Sequence, residues 1–172
     1  MPRFRASFFR VLFCVGLTSA FLGCSSDHYE SFYGSLADAD KAGAITRGWV
    51  PYYLPESSRA IRELHELSPS TEWCTFEFSP RDSEGFRKTL SNLHALTPSA
   101  KRIPNPRASW WPAILTGNLD VEKIHRSGFE LYVVERPETS VTTEISLYAI
   151  DWANGRAFFY SRREEATDSS GP

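Results

Sequence analysis

The stretch Glu72-Trp73-Cys74-Thr75-Phe76-Glu77-Phe78 alternates residue by residue: Cys74, Phe76 and Phe78 fall on one side of an extended chain, and Trp73, Thr75 and Glu77 on the other. β-Branched and aromatic residues suit a pleated, half-buried surface, so this is a strand with Cys74 as a core thiol. Helix-start signals follow at once. Ser79 can cap, Pro80 suits the first helical position, and Asp82 lies in the first turn, where the helix dipole favours an acid. Phe86, Leu90 and Leu93 recur at i, i+4 and i+7, and Leu96 continues the stripe until Pro98. The spacing predicts one long amphipathic helix from Pro80 to Leu96 lying across a sheet, with Gly85 inside it at a cost of about 1 kcal/mol relative to Ala.

Downstream, Phe129 to Arg136 and Thr143 to Asp151 are rich in strand formers, and Arg156 to Arg162 closes a hairpin across Trp152-Ala153-Asn154-Gly155. Either Tyr148 and Phe159 or Leu147 and Phe158 face the core, since a one-residue slip exchanges the faces. Upstream, Ser35-Leu36-Ala37-Asp38 has capping-box spacing and Gly43 can end a short helix over Leu36 to Ala42. Arg59 to Leu67 has apolar residues at helical spacing, yet Ser68-Pro69-Ser70 leads into the next strand as a hairpin turn would, and strand is the preferred reading. The expected fold class is α+β: an antiparallel sheet of about five strands with one long amphipathic helix packed on one face, plus a short N-terminal helix.

The N-terminus carries an address. Arg3, Arg5 and Arg10 precede an apolar run from Val11 to Leu22, too short for the ~20 residues of a spanning helix, and read as a secretory signal. Phe21-Leu22-Gly23-Cys24 resembles the bacterial lipobox, with Phe21 where Leu is usual. The expected organisation is a lipoprotein signal peptide over 1–23, a lipidated tether over 24–34, one domain over 35–163 and a disordered tail over 164–172. Ser25 after the cysteine, by resemblance to lipoproteins, implies an outer-membrane anchor facing the periplasm. The alternative is a secreted protein cut after Thr18-Ser19-Ala20. Loss of 1–23 leaves 16 basic against 21 acidic residues, a net charge of −5, which argues against a nucleic-acid partner. Cys14 leaves with the leader and Cys24 takes lipid, so Cys74 has no disulfide partner.

Arg47-Gly48-Trp49-Val50-Pro51, then Leu54-Pro55-Glu56-Ser57-Ser58 and Ile61, then Trp73 and Phe76, resemble small bacterial envelope proteins with the pattern RGWxPxxLPxSxxxI, of which the YbbD-like head domain carries the first part. The resemblance spans Ser35 to Arg162. It implies a strand ending in Phe, an amphipathic helix, a Trp-Trp or Trp-Phe segment and a closing hairpin, and it favours strand at Arg59 to Leu67. Several such proteins carry an Asp-rich turn before the Trp; here that turn is Ser68-Pro69-Ser70-Thr71, so any role of those acids is lost. No activity comes with the resemblance.

Catalytic motifs are scarce. His65, His94 and His125 are singletons without metal-ligand spacing, and no GxSxG, phosphate loop or reactive-cysteine context occurs. Glu63 with His65 could serve as acid and base in a small hydrolase, although neighbouring charges on a surface element explain the pair more simply. No cofactor is implied. The proline-framed segment from Thr97 to Gly128 lacks periodicity and carries Arg102, Arg107, Trp110 and Trp111, the combination that protein and glycan interfaces use. In an extended segment consecutive residues point opposite ways, so one Trp faces out. The expected function is a non-catalytic binding or structural module of the cell envelope, with an envelope protein or cell-wall partner; the alternative is a small envelope hydrolase using Glu63 and His65.

Overall fold

The structure is a computed structural model that describes residues 28–68, 70–92, 102–137 and 142–165. The expected signal peptide, Cys24, Leu93, His94, Leu96, Lys101 and the last seven residues of the expected tail lie outside the described residues. In chain order the elements are β1 (His28–Ser35), α1 (Leu36–Lys41), β2 (Arg59–Glu66), β3 (Thr71–Glu77), α2 (Ser83–Asn92), β4 (Arg102–Ile103), β5 (Gly117–Asn118), α3 (Val121–Arg126), β6 (Glu130–Pro137), β7 (Thr142–Asp151) and β8 (Arg156–Glu165). Six strands form one antiparallel sheet in the order β1-β2-β3-β8-β7-β6, and β4 pairs only with β5. The register runs straight across: Glu63 opposes Cys74, Cys74 opposes Phe159, Phe159 opposes Tyr148, and Tyr148 opposes Tyr132.

Paired residues share a face, so this row defines the first face. Ile61, Cys74, Phe76, Phe159 and Tyr148 are buried there beneath Ala39 of α1, Ala44 and Val50 of the following segment, and Phe86 and Leu90 of α2. The second face is equally apolar. Leu64, Trp73, Phe158, Tyr160 and Leu147 lie under Ile103, Trp111, Leu115, Leu119 and Ile124, all from the segment between α2 and β6. Each fully buried large apolar side chain contributes roughly 1.5–3 kcal/mol, so both layers hold the sheet.

The expected fold class is corrected on the helix and on the layers. The described residues are dominated by the six-stranded sheet and contain no long helix. Pro80–Asp82 is a 3₁₀ turn and α2 is ten residues long. Ser79 caps as expected, its hydroxyl accepting from the Arg81 amide. Phe86 and Leu90 are buried on the first face, but α1 and the segment after it share that face, so a short helix suffices. The question of which hairpin face is buried dissolves, because Leu147, Tyr148, Phe158 and Phe159 are all buried between two layers. The second layer is built by the stretch that lacked periodicity, which holds β4, β5, a 3₁₀ turn and α3.

Smaller corrections lie at the ends. His28 to Ser35, most of the expected tether, is the edge strand β1, and Arg163 to Glu165 continue β8. Arg59 to Glu66 is a strand, as preferred. The β7–β8 turn depends on Gly155: its φ is +59°, a Cβ there would sit 2.2 Å from the Phe78 carbonyl oxygen, and the Phe78 amide donates to the Gly155 carbonyl at 2.7 Å. That contact ties the end of β3 to the hairpin.

Candidate functional site

Glu63 and His65, two residues apart on β2, both point to the first face, and His65 Nδ1 lies 2.9 Å from Glu63 Oε2. The Tyr33 hydroxyl donates to the other carboxylate oxygen at 3.5 Å. This is the geometry of an acid–base pair, yet the side chains are 0% and 4% exposed. Trp49 stacks on the imidazole with ring centroids 3.9 Å apart, and Tyr29 stacks at 5.2 Å. The Arg47 guanidinium lies 4.0 Å above the Trp49 ring and also donates to the Ala42 carbonyl. Arg47, Trp49, His65 and Glu63 therefore form a chain of stacked and hydrogen-bonded groups that fastens the Arg47-Gly48-Trp49 strip over the sheet. Cys74, opposite Glu63, is buried, and burial with the nearby Glu63 charge pushes its thiol well above the ordinary cysteine range, leaving it inert.

Beside this chain a cleft of about 410 Å³ opens between the 45–53 strip and the ends of β7 and β8. Three of its polar side chains, Glu144, Ser146 and Arg163, are engaged by neighbouring hydroxyls. Ser161 donates to Glu144 at 3.2 Å, Ser146 stands 3.4 Å from Ser161, and Arg163 donates to Ser70 at 2.9 Å. Glu144 and Arg163 have further interactions. Hydroxyls and charges satisfied in this way stabilise the end of the sheet and offer little to a ligand.

On the second face the sequence candidates part company. Trp111 is buried, with its indole N–H donating to the Leu115 carbonyl at 3.3 Å and its ring edge-on to Phe158 at 5.8 Å. Trp110 is half-buried, and its indole N–H donates to Glu30 at 2.7 Å. Arg102 and Arg107 are exposed, but Arg102 sits by a small separate cavity with Val133 and Tyr160, and Arg107, at φ +57°, serves a local turn in which its amide donates to Asn105 at 2.8 Å. Only the two Trp rings, 6.0 Å apart, come together.

Trp110 instead forms one wall of an open groove of about 600 Å³. Phe32, Arg62, Thr75, Glu77 and Arg156 line it with Trp110. Sequence reasoning missed Phe32, Arg62 and Arg156, because Phe32 was placed in a tether and the two arginines lie on different strands. A bulge builds the Arg62 side. Arg59 and Arg62, three apart, oppose Glu77 and Thr75, two apart, and Ala60 between them has φ +49°. Among the described residues no group of three or more His, Cys, Asp or Glu side chains could hold a metal ion, and His125 lies exposed on α3.

No curated protein and no solved structure matches the chain. A family model does match, over the segment that holds β1, α1, β2, β3 and the stacked Arg47-Gly48-Trp49 strip, half of the six-stranded sheet. Residues 27–77 match the family model described as the YbbD head domain, so this stretch is similar to such a head domain.

Proposed function

We propose that this chain is a non-catalytic binding module of the bacterial cell envelope, anchored by lipid on Cys24 to the outer membrane and facing the periplasm, with the Trp110 groove as its ligand surface. The burial of the Glu63–His65 pair carries this reading. A pair 0% and 4% exposed and stacked under Trp49 offers no reacting atom to a substrate, whereas the groove is open and lined by aromatic and guanidinium groups. Lipid anchoring rests on the lipobox-like Phe21-Leu22-Gly23-Cys24. Because β1 begins at His28, such an anchor would hold that end of the sheet within about 14 Å of the leaflet. Among the described residues no helix is long and apolar enough to cross a membrane.

Capture from detergent-solubilised envelope tests the reading. The full-length chain retains a specific partner or wall fragment and turns over none of a panel of chromogenic esters, phosphates and glycosides. A turnover signal abolished by Glu63→Gln would establish the hydrolase alternative instead. Labelled palmitate incorporates into the wild type and not into Cys24→Ser; equal labelling of both defeats the anchor.

A further inference from the structure

We infer that the groove between Phe32 and Trp110 binds an acidic oligosaccharide, an inference that rests on the non-catalytic binding reading and assigns its ligand class. Arg62 and Arg156 are exposed and form no ion pair among the described residues. Glu77, which also lines the groove and stands opposite Arg156 in the register, pairs with Arg59 at 3.3 Å, and Glu30 holds the Trp110 indole. The groove thus keeps two unspent guanidiniums, which recognise carboxylates by paired, charge-assisted hydrogen bonds.

The aromatic rings supply the second half of the match. Phe32 is 60% exposed, the Arg62 guanidinium lies 5.5 Å from its ring, and the Trp110 ring is fixed in place by Glu30 before any ligand arrives. A pyranose ring bearing a carboxylate presents an apolar C–H face and an anion on one rigid body, and here ring faces and guanidiniums lie side by side. An acidic peptide would meet the arginines equally well, but its apolar side chains need a deep desolvated pocket, and this groove is open with Thr75 in its lining. The backbone at Ala60 adds a second sign. A non-glycine residue at φ +49° costs about 1–3 kcal/mol, and the bulge it permits sets Arg62 opposite Thr75 on the groove side of the sheet. Strain held at a bulge marks a site where the side-chain direction matters more than stability.

The test is a titration of the full-length chain in detergent micelles, followed by tryptophan fluorescence, with trigalacturonate as the probe and cellotriose and triglutamate as comparisons. Trigalacturonate gives a saturable change that weakens with added salt, and Arg62→Gln or Arg156→Gln each weakens it by about tenfold. Absence of a saturable response, equal binding of neutral cellotriose, or undiminished binding by both arginine variants overturns the inference. Triglutamate binding as tight as trigalacturonate also overturns it, in favour of an acidic peptide, while leaving the binding reading intact. Release of shorter sugars from trigalacturonate would do the reverse, sinking the non-catalytic reading and keeping the ligand class.

Discussion

Replacing His65 by alanine strands the Glu63 carboxylate, which is 0% exposed and keeps only the Tyr33 hydroxyl at 3.5 Å. Breaking a buried pair by deleting one partner costs about 3–5 kcal/mol. The lost stacks on Trp49 and Tyr29 add roughly 0.5–1.5 kcal/mol each, while relaxation of the groups around the carboxylate limits the electrostatic share. The net expectation for His65→Ala is about 4 kcal/mol, a large fraction of the ~5–15 kcal/mol that holds a domain together. Glu63→Leu alone leaves an unpaired imidazole nitrogen and costs about 1–3 kcal/mol. The double variant Glu63→Leu/His65→Leu restores an apolar row beside Ile61 and Cys74, and it should lie within about 2 kcal/mol of the wild type, since apolar replacement of a whole buried pair is often near neutral. Urea melts of the wild type, His65→Leu, Glu63→Leu and the double variant, with m-values compared, close a cycle of identical substitutions and read the coupling directly. If the single losses simply add in the double variant, the pair is not a coupled structural unit and cannot be what fastens the Arg47-Gly48-Trp49 strip.

Leu90→Ala should cost about 2–5 kcal/mol in the same assay, because Leu90 is fully buried on the first face, whereas exposed Lys88→Ala should change stability by less than about 0.5 kcal/mol. Gly155→Ala should cost at least about 2 kcal/mol and lower the Tm by several degrees, since the added Cβ meets the Phe78 carbonyl oxygen at a positive φ. At Glu130, burial alone would raise the carboxyl, but hydrogen bonds from Tyr132, Arg87 and Trp152 hold it below the usual carboxylate range. Its contribution is therefore present above the unfolded-state value and is lost as pH falls through the folded one, so Glu130→Gln should flatten the acid limb of a stability–pH curve. Burial, reinforced by Glu130, pushes the Tyr132 phenol up to about 12, so its contribution is full below the ordinary tyrosine value and fades as pH rises toward 12; Tyr132→Phe should remove that alkaline loss.

Much of the sheet was legible because each strand kept a local signature. Alternation marked β3, the Gly155 turn marked the β7–β8 hairpin, and the capping residue Ser35 marked α1, where its side chain accepts from the Asp38 amide. β1 was hidden by its position. An edge strand with an exposed outer side needs little apolar pattern, so His28 to Ser35 looked like a tether. The long helix was over-read because i, i+4 spacing says which residues face inward and nothing about how many elements share the face. Two-sided burial was the harder loss. Trp73 beside Cys74 and Leu147 beside Tyr148 already break a one-sided pattern, and unbroken apolar runs of this kind mark a covered sheet.

The site was legible in pieces. Trp110 was found because a paired aromatic in a proline-framed segment stands out, but Arg62, Arg156 and Phe32 become its neighbours only through pairing of β1 with β2, β2 with β3, and β3 with β8. Arg102 and Arg107 are close to Trp110 in sequence and stand outside the groove, because β4 and the Asn105 turn aim them elsewhere. The Arg47-Gly48-Trp49 motif reads as a site and acts as a clamp, its Trp closed on a buried histidine.

Capture from solubilised envelope, compared between two full-length variants, decides which face of the sheet binds. Arg62→Gln/Arg156→Gln alters only exposed side chains of the groove, and Tyr52→Ala alters a residue 76% exposed at the cleft on the opposite face. The groove account predicts that the arginine variant loses the captured material and the Tyr52 variant keeps it. Retention by the arginine variant with loss in Tyr52→Ala would move the binding surface to the cleft and contradict the account.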